Sequence, residues 1–78
     1  MPRFFFDTDE AGRVLLDEDG VDLPNVDAAE QQALTALAEI AKDDLPKRRP
    51  RYIGMSVRDE RGTVLLTTAL TLQLERRA

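Results

Sequence analysis

The stretch Asp9-Glu10-Ala11-Gly12-Arg13-Val14-Leu15-Leu16 returns without a gap as Asp59-Glu60-Arg61-Gly62-Thr63-Val64-Leu65-Leu66, with six of the eight positions identical. Each copy follows a strand-like run, Phe4-Phe5-Phe6-Asp7 in the first case and Tyr52-Ile53-Gly54-Met55-Ser56-Val57 in the second. An apolar run, an acidic glycine-containing turn and a second β-rich run form the pattern of a β-hairpin. Two hairpins are therefore expected, over residues 3–17 and 52–75.

Between them lies one amphipathic segment, predicted to be helical over residues 26–44. Val26, Ala29, Ala33, Leu37, Ile40 and Ala41 recur at the spacing of one helix face, while Glu30, Gln31, Thr35, Glu39 and Lys42 take much of the other. Asn25 can cap its first turn, or Asp27 can cap with Glu30 completing a capping box. Pro46 disfavours helical geometry at Leu45 and is expected to end the helix.

The implied fold class is α+β, in the order β-β-α-β-β, with one helix across one face of an antiparallel sheet. If Phe4 and Phe6 face the helix, Phe5 points the other way. Val14-Leu15-Leu16 and Leu65-Leu66 are apolar on both faces, and a single helix covers only one. A second face carrying Phe5, Leu15 and Leu65 would need a lid, and the simplest is the same face of another copy, giving a homodimer; pairing along a sheet edge and a monomer with a scattered apolar surface are the competing arrangements.

The chain has 78 residues and no cysteine, so no disulfide or zinc-thiolate site supplements a small core. No stretch reaches the roughly 20 apolar residues of a membrane span, and the N-terminal run is too short for a signal peptide. A soluble cytoplasmic protein without membrane association is the expectation. The net charge of −4 argues against generic nucleic-acid binding, although acid dominates residues 7–30 and base residues 47–51.

The chain has no histidine or cysteine, and its one serine, Ser56, stands beside no candidate base, so neither a nucleophilic dyad nor a triad is expected. No catalytic residue, cofactor or metal ligand is assigned. In the acidic segment, Asp7, Asp9, Gly12, Val14 and Glu18 can be aligned with a calcium loop, but Ala11 and Leu15 stand where oxygen ligands are needed. The preferred reading is three Asp-and-Gly turns, in which aspartate bonds nearby backbone and glycine takes positive φ. Lys47, Arg48, Arg49 and Arg51, with Tyr52 adjacent, form a basic loop over residues 46–51. It suits the negative end of a helix, and alternatively an acidic partner or nucleic-acid phosphates.

Several segments in order, Phe4-Phe5-Phe6-Asp7, Asp17-Glu18-Asp19-Gly20-Val21-Asp22-Leu23-Pro24, Ala28, Ala33 and Ala36, and Val57-Arg58-Asp59-Glu60-Arg61-Gly62, resemble a family of short stand-alone bacterial proteins classified as a domain of unknown function, DUF6894. The resemblance spans nearly the whole chain and implies no activity and no site residues. More distantly, the strand pair and capped alanine-rich helix look like antitoxin components that fold as small partial ribonuclease-like domains, from which this chain departs in carrying no separate DNA-binding segment. The expected function is a non-enzymatic interaction module that dimerises through its sheet and binds a protein partner; the alternative is a small nucleic-acid-associated regulator using the basic loop.

Overall fold

The computed structural model describes residues 1–47 and 52–78. Its elements are β1 (Arg3–Glu10), β2 (Arg13–Leu15), β3 (Val21–Asp22), α1 (Val26–Asp44), a 3-10 turn (Leu45–Lys47), β4 (Tyr52–Arg58) and β5 (Val64–Thr71). The antiparallel sheet has the order β2-β1-β4-β5, and β3 pairs with the start of β1.

Both repeat copies make the hairpins that their composition calls for, with different turns. In the first, Glu10 pairs with Arg13 across Ala11 and Gly12, whose φ values of 54° and 92° are both positive. That is the type I′ geometry that matches strand twist, and Asp9 Oδ1 steadies it by accepting the Gly12 N–H at 2.8 Å. In the second, Asp59 Oδ1 accepts from the N–H groups of Arg61 and Thr63, and Gly62 has φ of 86°. The shared Asp-x-x-Gly pattern is thus a backbone device in each copy.

Helix α1 starts at Asn25, whose Oδ1 accepts the Ala28 N–H at 2.9 Å, so the asparagine cap is used rather than Asp27. It ends at Asp44 as expected, but the residue before the proline does not leave helical geometry: Leu45 keeps helical angles, its N–H donates to Ala41 O, and Pro46 sits inside the 3-10 turn. The steric bias before proline is overridden because Leu45 packs against the cluster of Leu37, Ala41 and Ile53.

Alternation places Ile53, Met55 and Val57 of the central strand β4 under the helix, with Phe4 and Phe6 of β1 and Leu66 of β5 beside them. The helix answers with Ala29, Ala33, Leu37 and Ala41, all buried. Alanine at three of these four positions lets the helix backbone lie close to the sheet. Val26, placed on the inner face by periodicity, is instead exposed in the first turn.

Three further boundaries depart from the sequence reading. β2 is only 3 residues long, β3 was not foreseen, and β5 stops at Thr71, leaving Leu72–Ala78 without regular structure. After the hairpin turn, β2 pairs with Thr8, Asp9 and Glu10 alone, and the chain then leaves the ladder at Leu16.

Candidate functional site

Where β2 departs, side chains replace the missing ladder. Asp17 Oδ2 accepts the Phe6 N–H at 3.1 Å, and its Oδ1 accepts the N–H groups of Asp19 and Gly20 at 3.0 and 3.1 Å. In return the Asp17 N–H donates to Asp7 Oδ1 at 2.9 Å. Arg58 locks the arrangement from β4: its Nε donates to Asp7 Oδ2 at 2.7 Å, and its terminal nitrogen donates to the Asp17 carbonyl at 2.8 Å. The guanidinium also lies 4.7 Å from the centre of the Phe5 ring.

Two side chains of this clasp have shifted pKa values. Burial pushes the Asp17 carboxyl up, but the N–H groups of Gly20, Phe6 and Asp19, with Arg58 nearby, outweigh it and hold the group below its usual range. The hydrogen bond to Asp7 is the main reason that Arg58 is held more firmly protonated than usual. The Arg58–Asp7 side chains are 25% and 12% exposed, against 48% and 51% for the Arg3–Asp22 pair that ties β1 to β3. The first pair is therefore much the less screened by solvent, and breaking it would leave a poorly solvated charge without a partner.

The acidic residues aligned with a calcium loop are accordingly dispersed. Asp7 serves Arg58 and Asp17, Asp9 serves the turn, and Glu18 is exposed. Among the described residues no three acidic side chains converge as a metal site would require.

The face of the sheet away from the helix carries a shallow cleft of about 430 Å³, lined by Asp9, Tyr52, Gly54, Ser56, Thr67 and Ala69 among others. Tyr52 lies along the strand over Gly54: a Cβ at Gly54 would meet the Tyr52 hydroxyl oxygen at 2.8 Å. The glycine thus makes room for the ring, and the floor of the cleft is lined by hydroxyls and backbone.

The three residues assigned to a common apolar face are not brought together. Phe5 pairs with Arg58 and is half-buried beneath it, on the open face. Leu15 pairs with Thr8, whose other partner is Met55, so Leu15 points to the helix side of the sheet. It is 51% exposed there, beyond the reach of the helix. Leu65 lies at the bulge opposite Val57 and Arg58 at the start of β5, 39% exposed. Of the basic set, Lys47 is exposed at the end of the 3-10 turn; Arg48, Arg49 and Arg51 lie outside the described residues.

What the sequence reading did not single out is the outer edge of β5. The strand Val64-Leu65-Leu66-Thr67-Thr68-Ala69-Leu70-Thr71 has no charge and no proline. It pairs with β4 on one side and with no strand on the other among the described residues. Edge strands are normally blunted by lysine, proline, brevity, a bulge or a covering helix; β5 has no lysine or proline, is eight residues long, and carries its bulge only at its start, at Leu65. The helix overhangs it, with Glu30 and Leu34 meeting Leu66, Thr67 and Thr68 around a hollow of about 150 Å³.

The match to the family described as a domain of unknown function (DUF6894) covers residues 3–71. The chain belongs to the DUF6894 family. The DUF6894 match begins on the first residue of β1 and ends on the last residue of β5, so it takes in the whole sheet and leaves out the tail. No curated protein and no solved structure matches the chain. Among the described residues no helix is long and apolar enough to cross a membrane.

Proposed function

We propose that this DUF6894 member is a non-enzymatic interaction module that self-associates through its sheet, using the β5 edge. The observation that carries this reading is the eight-residue uncharged edge strand, whose outward N–H and C=O groups offer a ladder to another strand. Its flanks support association too, since Leu65 and Leu70 of the strand and Leu34 of the helix are exposed apolar side chains. The catalytic inventory points the same way, with histidine and cysteine absent and Ser56 on the open face among hydroxyl groups and Asp9.

The face-to-face arrangement expected from Phe5, Leu15 and Leu65 is replaced here by an edge-to-edge one, because Arg58 covers Phe5 and Leu15 looks the other way. Sedimentation equilibrium from micromolar to near-millimolar concentration tests the proposal. The wild-type chain is expected to show a dimer, and Leu65→Lys, which places a charge on the edge, is expected to weaken it by about tenfold, or 1.4 kcal/mol. A chain that stays monomeric throughout would remove the reading.

A further inference from the structure

Resting on that reading, we infer that two copies pair antiparallel along β5 with Thr68 on the two-fold axis. In an antiparallel pair, residues directly opposite share a side of the sheet, so a two-fold axis sets one residue against itself. On the helix side β5 presents Leu66, Thr68 and Leu70, the partners of Val57, Met55 and Ile53. The registers that overlap most of the strand are those centred on Thr67 and Thr68. Only the second sets both helix-side leucines against leucine, Leu66 opposite Leu70 of the second copy and the reverse. On the open face it sets Thr67 against Ala69.

The hollow beneath the helix fits this register. It opens beside Leu66 and is walled by Leu34, so Leu70 of the second copy, placed opposite Leu66, is the side chain positioned to fill it.

The chain has no cysteine, so single-cysteine variants report the register cleanly. Under mild oxidation Thr68→Cys is expected to form a disulfide-linked dimer roughly tenfold faster than Thr67→Cys or Ala69→Cys alone, because only across the axis do the two Cα atoms fall within bridging distance. A mixture of Thr67→Cys with Ala69→Cys is expected to cross-link between the two variants. A maximum at another position in a dimeric protein would overturn the register and leave edge association standing. A wild-type chain that sediments as a monomer overturns both the register and the reading beneath it.

Discussion

Phe4→Ala is expected to cost about 3–5 kcal/mol, the range for truncating a buried aromatic side chain. A chain of this length has a total stability of roughly 4–12 kcal/mol at the usual stability per residue, so the variant loses about a quarter of it or more. Phe4 is 3% exposed and packs with Ala29, Ala33, Met55 and Val57. The two alanines cannot close the space, since neither has a side chain to move into it. The control is the next residue. Phe5→Ala removes a half-buried ring that touches Arg58, and about 1–2 kcal/mol is expected from partial burial and the cation–π contact together. Urea denaturation followed by circular dichroism reads both, and equal losses would contradict the assignment of the two rings to opposite faces.

The second large effect is expected at Asp17. Its carboxylate accepts three backbone N–H groups, and the Phe6 and Gly20 bonds are partly buried, so Asp17→Ala strands donors that water reaches poorly. Roughly 2–3 kcal/mol should be lost, and at about 4–8 °C per kcal/mol for a domain of this size the melting midpoint should fall by roughly 10–20 °C. The acid limb follows from the sign of the titration. Asp17 has a folded pKa below its unfolded value near 3.9, so its stabilisation is fully present above that value and is lost as pH falls through the folded pKa. The midpoint of the wild-type chain should therefore drop more steeply below about pH 4 than that of Asp17→Asn. Some slope persists in the variant, because the bond to Arg3 also holds the Asp22 carboxyl below its usual range. Parallel acid limbs in the two proteins would show that Asp17 is not the group responsible.

How legible these features are in the sequence depends on the reach of the interaction. The turns depend on residues three or four apart, and the repeat displays both; the helix depends on a period sustained over 19 residues; Phe4 and Phe6 follow from strand alternation. The clasp was not legible, because Asp17 stands in Asp17-Glu18-Asp19-Gly20 and composition makes it one more turn acid. Nothing in that tetrapeptide announces that its carboxylate bonds the N–H of Phe6, 11 residues earlier, or that Arg58, 41 residues later, holds its carbonyl. One signal was present, since Arg58 closes the alternation Ile53, Met55, Val57 on the face opposite those residues and so shares a side with Phe5. The face of Leu15 was lost for a related reason: an apolar triplet reads alike in either register, and only pairing with Thr8 decides it. The open edge of β5 follows from strand order, which no local pattern encodes.

The brevity of β2 limits how far the sheet can grow. Its three residues end where Asp17 turns the chain out of the ladder, and the remaining length of that border is occupied by the side-chain clasp and the two residues of β3. Two chains joined at β5 would turn these blunt borders outward on both sides. A third copy would find no run of free backbone long enough to template a strand, so such a sheet would be capped at two chains, and an uncharged edge that would otherwise invite fibre growth is compatible with a closed assembly.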